Sequence, residues 1–181
     1  MEILLIRHGE THANIKKTGE PILTSKGKNQ IKHLAKKLEK TKIEILYSSD
    51  LKRTLLTAKT IQKRNLTQLI ILKELREIYR KIVGGPEKQV SENRFERDLA
   101  RAEKVWKKMN KKEKERIAII CHGNIIRYFL MKNQNKELTK GWSVKIDPAS
   151  ITTIKNGKVE KINDISHLPE EFRSEKTLYH D

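Results

Sequence analysis

Apolar residues fall into short runs separated by longer stretches with helical spacing. Met1 to Ile6 is almost wholly apolar, which predicts a buried strand ended by a loop at Gly9. From Thr24 the period changes. Thr24 or Ser25 caps a predicted helix whose apolar positions are Ile31, Leu34, Ala35 and Leu38. Ile43 to Tyr47 predicts a second strand. Ser48-Ser49-Asp50 then offers caps for a helix carrying Leu51, Leu55, Ala58 and Ile61. Leu69 to Leu72 predicts a third strand. Residues 92–114 predict a charged helix with Phe95, Leu99, Ala102, Val105, Trp106 and Met109 as its apolar stripe. Ile117 to Cys121 predicts a fourth strand, and Ile125 to Met131 another helix. Past Gly141 the texture turns to β: Trp142 to Ile146, Ser150 to Ile154, a turn at Asn156-Gly157, and Val159 to Ile162.

Strands alternating with helices predict an α/β three-layer sandwich. Its central sheet is mostly parallel, with helices on both faces and a C-terminal β-hairpin at one edge. Residues 1–165 are expected to form one domain and 166–181 a polar C-terminal tail. The chain has 181 residues, a length suited to one core. Its one cysteine, Cys121, excludes an internal disulfide and a cysteine-held metal. No apolar run approaches the roughly 20 residues of a membrane span, and the first is too short for a signal-peptide core, which predicts a cytoplasmic location.

The 40 Lys and Arg against 23 Asp and Glu give a net charge of +17. Lysine supplies 29 of those 40 cations. The densest stretch, Lys104 to Arg116, is interleaved with Glu113 and Glu115 and has no accompanying aromatic series. It reads as a solvated helix face rather than a nucleic-acid platform. The charge alone therefore names no chemistry.

Three segments do. Arg7-His8-Gly9-Glu10 follows the first strand, Ser48 to Thr54 the second, and His122-Gly123-Asn124 the fourth. In an open α/β sheet, ligands bind outside the carboxyl ends of the strands. Two His and two Arg would therefore converge on one crevice. Guanidinium groups fork onto phosphate oxygens, and helix N-termini after Asp50 and Gly123 would add N–H donors. A neutral imidazole attacks phosphorus to form a phosphohistidine, and the leaving oxygen then needs a proton from a carboxyl group near the pocket mouth.

In this order the motifs resemble the histidine phosphatase superfamily, the phosphoglycerate-mutase-like fold. The likeness rests on Leu5-Ile6-Arg7-His8-Gly9-Glu10-Thr11 with Asn14, and on Leu23-Thr24-Ser25-Lys26-Gly27 with Gln30. It continues through Ser48 to Thr54 with Thr57-Ala58, and through Cys121-His122-Gly123-Asn124 with Ile126-Arg127. The resemblance implies His8 as the phosphate-accepting nucleophile and Arg7, Arg53 and His122 as the rest of the phosphate pocket. It implies Asn14 as a substrate-phosphate ligand, with Gly123 and Asn124 as weaker contacts. The acid/base carboxylate of the family falls in Leu75-Arg76-Glu77, which implies Glu77; Glu74 is its competitor. The Gly and Trp-Glu-Gly that often follow the family's acid are missing after Ile78. The tail, from Ile120 through Gly141-Trp142 to Asn156-Gly157, is similar to the serine/threonine protein phosphatase branch.

The implied activity is metal-independent hydrolysis of phosphomonoesters, with no cofactor, on a phosphorylated small molecule or a phosphoprotein. Neither membrane nor nucleic acid is an expected partner, and the oligomeric state stays open. A phosphoglycerate mutase and a phosphohistidine phosphatase are the alternative enzymes. A basic anion-binding or nucleic-acid-binding module is the non-enzymatic one. Only 44 residues lie between Glu77 and His122, which leaves room for a small lid and favours hydrolysis over mutase chemistry. His12, His33, His167 and His180 are expected to be structural or at the surface, Cys121 a small buried side chain, and Trp106 core.

Overall fold

The computed structural model describes residues 1–12, 21–79, 92–110 and 114–174. Six strands form one sheet in the order β3-β2-β4-β1-β5-β6. β1 (Glu2–Arg7), β2 (Ile45–Ser48), β3 (Gln68–Ile71) and β4 (Arg116–Cys121) run parallel. β5 (Ile151–Lys155) and β6 (Lys158–Asp164) form an antiparallel hairpin that adds to β1. Its turn is Asn156-Gly157, where both residues have positive φ (50° and 77°). Such a two-residue turn matches the twist of the flanking strands.

The central strands are buried on both faces, so their apolar residues divide between two cores. Ile3, Leu5, Ile117, Ile119 and Cys121 point to one side. There they meet Trp106 and Met109 of α3 (Glu92–Met109) and Ile125, Ile126 and Phe129 of α4 (Gly123–Asn133). Trp106 stacks on Phe129 with ring centroids 4.8 Å apart. Leu4, Ile6, Leu46, Ala118 and Ile120 point to the other side. They pack on Leu34, Ala35 and Leu38 of α1 (Ser25–Leu38) and on Ala58 and Ile61 of α2 (Lys52–Asn65). Burying one such Ile or Leu stabilises the fold by about 1.5–3 kcal/mol, so the layering is fixed by the strand alternation. This is the expected three-layer arrangement.

Three local expectations are corrected. The stretch Trp142 to Ile146 is not a strand. A 3₁₀ turn, Leu138–Gly141, precedes it, and a Cβ on Gly141 would lie 2.6 Å from Met131 of α4. The carbonyls of Val144 and Ile146 accept from the side chains of Arg127 and Arg7 instead of a neighbouring strand. Second, Thr24 caps α1 as expected, with the Gly27 N–H donating to its hydroxyl at 2.8 Å. α2, however, begins at Leu51 with no side-chain cap. Asp50 is turned aside by Arg76, which donates to both of its carboxylate oxygens at 2.8 and 2.6 Å. Third, the 92–114 helix ends at Met109. Residues 111–113 of that stretch, and 80–91, lie outside the described part.

Residues 166–174 pack against α1. Leu168 is buried, and Gln30 Nε2 donates to the Phe172 carbonyl at 2.8 Å.

Candidate active site

The register of the sheet levels three strand ends. Arg7 pairs with Cys121, and Ser48 with Ile120. The next residue of each strand, His8, His122 and Ser49, therefore emerges at the same edge. Their backbones stay tied to it: His8 N–H donates to the Cys121 carbonyl at 3.2 Å and Ser49 N–H to that of Ile120 at 3.0 Å.

His8 is buried, and its neighbours fix which nitrogen bears the proton. Nδ1 lies 2.7 Å from the Gly9 carbonyl, which can only accept, so Nδ1 is the donor. Arg53, from the first turn of α2, donates through Nε to His8 Nε2 at 3.3 Å. Nε2 therefore carries the lone pair. Burial, then the charge of Arg7, with a smaller push from Arg53, holds the ring at a pKa of about 3 against the bonding of Gly9. His8 is a neutral base with one defined tautomer at neutral pH.

His122 sits 5.1 Å from His8, centroid to centroid, edge to face. It is fully buried, and its Nε2 shares a hydrogen bond with the Ser49 hydroxyl at 3.2 Å. Burial pushes its pKa well down, as do the charges of its neighbours, including Arg53 and Arg7. Its Nδ1 is buried with no protein partner among the described residues. Buried polar nitrogens are nearly always paired, so this one is hydrogen-bonding capacity that the fold does not use.

Arg7 is held by the Ile146 carbonyl at 2.5 Å. Its guanidinium carbon lies 3.8 Å from where a Cβ on Gly123 would stand. Its charge reaches His8, His122 and Glu77 alike. Arg7, His8, Arg53 and His122 thus form one group, as their positions after strand ends imply.

Glu77 joins this group and Glu74 does not. Glu74 is exposed. Glu77 is half-buried, and its Oε1 accepts from the backbone N–H groups of Ile78 (3.0 Å), Asn124 (3.1 Å) and Ile125 (3.2 Å). It therefore caps α4 from another segment. The expectation that this helix end is a bare donor set is corrected: two of its N–H groups are spent on Glu77. Burial raises the Glu77 pKa, outweighing the three hydrogen bonds and the Arg7 charge that lower it. Asn124 uses its side chain structurally, donating to the Ile78 carbonyl at 2.9 Å and accepting from Arg127 at 3.1 Å. Asn14 lies outside the described residues.

Two residues beside the site belong to the second motif, but the sequence assigns them no site role. Ser49 reads there only as a cap, yet its hydroxyl meets His122. Thr57 holds the loop that carries His8, accepting from Gly9 N–H at 3.4 Å while donating to the Arg53 carbonyl at 2.8 Å. The Ser49 hydroxyl also accepts the Leu51 N–H at 3.5 Å in the turn before α2, so the sequence does not separate Ser49 from an ordinary capping residue. Among the described residues no three His, Cys, Asp or Glu side chains gather as a metal site would require, and no helix is long and apolar enough to cross a membrane.

The chain is 29% identical over 193 residues to the mitochondrial serine/threonine-protein phosphatase Pgam5 of Caenorhabditis elegans; the match covers 92% of this chain but 64% of that relative. It is 25% identical over 203 residues to phosphoserine phosphatase 1 of Hydrogenobacter thermophilus, covering 94% and 95% of the two chains. The fold superposes on the α-ribazole phosphatase of Shigella flexneri with a TM-score of 0.75 at 18% identity, covering 91% and 96% of the two chains. The sequence model of the histidine phosphatase superfamily (branch 1) matches residues 3–98 and 84–162. With that match spanning most of its length, the chain belongs to the histidine phosphatase superfamily.

Proposed function

We propose that the protein hydrolyses phosphomonoesters through a phosphohistidine at His8. One observation carries the reading: the Gly9 carbonyl fixes the proton on Nδ1 while Arg53 flanks the lone pair on Nε2. That is a nucleophile held neutral and oriented within a cationic pocket. It needs no base to activate it.

In the first step the Nε2 lone pair attacks phosphorus. The bond from phosphorus to the leaving oxygen breaks, and Glu77 gives that oxygen its proton. Arg7, Arg53 and His122 stabilise charge on the three equatorial oxygens. In the second step a water oxygen attacks the phosphohistidine, and the Glu77 carboxylate takes the water's proton. The P–N bond breaks, the electron pair returns to Nε2, and phosphate leaves. The raised pKa of Glu77 suits the acid role, because more of it is protonated near neutral pH. Asn14 and Gly123 are proposed as contacts to the substrate phosphate, and Asn124, whose N–H and amide are engaged by Glu77 and Ile78, as a support for Glu77. None of these steps requires a metal ion.

The substrate is proposed to be a phosphorylated metabolite or a phosphoprotein. Support comes from the names of the two relatives, one a serine/threonine-protein phosphatase and one a phosphoserine phosphatase. The test compares wild type with His8→Ala on p-nitrophenyl phosphate, phosphoserine, a phosphoserine peptide, phosphohistidine and 3-phosphoglycerate, with a chelator present. Wild type releases phosphate, and a brief quench traps an acid-labile, alkali-stable phosphoenzyme; His8→Ala does neither. Phosphate release that survives in His8→Ala defeats the phosphohistidine. Isomerisation of 3-phosphoglycerate without phosphate release defeats the hydrolase reading.

A further inference from the structure

Glu77 has no regular element of its own to stand on. It follows a 3₁₀ turn, Lys73–Leu75, and no strand or α-helix contains residues 76–79. Two buried side chains, Leu75 and Ile78, pin this segment to the core on either side of it. They fix its depth, but two apolar anchors do not set how the intervening backbone turns. Polar bonds from the helices do that.

Arg101 of α3 makes three of them. One terminal nitrogen donates to the carbonyl of Glu74 at 2.6 Å and to that of Arg76 at 2.8 Å. The other donates to the carbonyl of Glu77 itself at 3.1 Å and to Asp98 Oδ1 at 2.9 Å. Asp98, one helical turn earlier, accepts the Tyr79 N–H at 3.2 Å through its other oxygen. The Arg101–Asp98 pair thus straps the chain before, at and after the carboxylate. The far side is held by α4, through the N–H groups on Glu77 Oε1 and the Asn124 amide on the Ile78 carbonyl.

We propose that Arg101 is a positioning residue for proton delivery, holding Glu77 at the leaving oxygen through a fork onto three carbonyls of its segment. The inference rests on the reading of Glu77 as the proton donor. The planar guanidinium suits the task because it spreads its donors in fixed directions; a lysine ammonium keeps the charge but cannot span the same carbonyls. The Arg101 charge also bears on His122, which places the residue at the border of the site.

The experiment separates proton delivery from general damage by varying the leaving group. An alkoxide leaves poorly without a proton, whereas p-nitrophenolate leaves as a stable anion. The proteins are Arg101→Lys, Glu77→Gln and the double variant. The substrates are p-nitrophenyl phosphate and the alkyl phosphomonoester that wild type turns over fastest. A general acid contributes about 10²–10⁴-fold, so Glu77→Gln is expected to slow phosphoenzyme formation from the alkyl ester, followed in single turnovers, within that range. Arg101→Lys is expected to slow it at least about tenfold and by no more than Glu77→Gln does. Phosphoenzyme formation from p-nitrophenyl phosphate, read as the burst of p-nitrophenolate before water attacks, is expected to slow less than about threefold in either variant, since no proton is at stake in that step. In the Glu77→Gln background, Arg101→Lys is expected to add nothing, because there is no acid left to place.

Equal losses on both substrates in Arg101→Lys overturn the inference, as does additivity in the double variant. If Glu77→Gln shows no leaving-group dependence, the acid assignment itself fails, and Arg101 falls with it. If Glu77→Gln shows it and Arg101→Lys does not, the inference alone fails. Should Arg101→Lys fail to fold by circular dichroism, Asp98→Asn loosens the same strap more gently. The same leaving-group pattern is then expected, at smaller size, and its absence overturns the inference.

Discussion

The Glu77 carboxyl accepts three backbone N–H bonds, and each favours its charged form. Burial opposes them and wins, so its pKa stands above the usual carboxylate range. The sign for stability follows. A carboxyl whose pKa is raised by folding holds its proton more tightly in the fold than in the unfolded chain. Its contribution is fully present below the unfolded value and is lost as pH rises through the folded one. At pH 7 the ionised carboxylate therefore costs stability. Glu77→Gln keeps an oxygen that accepts the same N–H bonds, so it is expected to raise the melting temperature at pH 7 while removing turnover of alkyl esters. The gain should shrink towards pH 4, where the wild-type carboxyl is itself protonated. Melting curves at the two pH values check this; a lower melting temperature for the variant at pH 7 would show that the charge, not the oxygen, holds α4. At this scale the sequence was informative where chemistry sits next to a strand end. Arg7, His8, Arg53 and His122 all lie within a few residues of one. Arg101 was illegible for a physical reason: it is one of 40 cations, and its partners are backbone carbonyls, which every residue carries.

Between elements, the decisive contact is α1 against the loop that carries His8. The Gly27 Cα lies so close to this loop that a Cβ there would stand 2.1 Å from the Glu10 carbonyl oxygen. A Cβ on Gly9 would in turn stand 2.7 Å from the Gly27 carbonyl oxygen. Backbone meets backbone, and Gln30 and Thr24 fasten the seam, accepting from Glu10 N–H at 2.8 Å and donating to the Glu10 carboxylate at 2.9 Å. No flexible side chain can give way. Gly27→Ala is expected to push α1 off the loop, destabilising the fold by about 1–3 kcal/mol. It is also expected to lower turnover, because Gly9 sets the His8 tautomer. Urea unfolding and phosphate release measure the two effects, and full activity with an unshifted midpoint would show that the seam is looser than it looks. The helices and parallel strands were legible because burial on one stripe or on both faces leaves a period in the sequence. Trp142 to Ile146 carries an alternation too, but Arg7 and Arg127 claim its carbonyls, and a pattern of side chains does not record where a backbone finds its partners.

For the whole molecule, the question is what a net charge of +17 does around a pocket that has its own cations. Most of it is lysine, and those on α3 are exposed, as at Lys104, Lys107 and Lys108. Lys107 is paired with Glu103 at 3.2 Å, an exposed contact that contributes little to stability. A diffuse positive field of this kind raises the local concentration of a dianionic ester without touching the chemical step. It should therefore appear in kcat/KM and not in kcat. Screening lengths fall from about 30 Å at 0.01 M salt to about 3 Å at 1 M, so the field is removed well before contacts inside the pocket are. Two expectations follow for the fast-turning ester. Raising ionic strength should lower kcat/KM several-fold and leave kcat flat. Replacing Lys104, Lys107 and Lys108 together by Gln should weaken that salt dependence while leaving the high-salt kcat/KM unchanged, since none of the three belongs to the Arg7–His8–Arg53–His122 group. A salt dependence unaltered by the triple replacement would take these three α3 lysines out of the encounter and leave the attraction to the cations nearer the pocket, Arg7 and Arg53 among them.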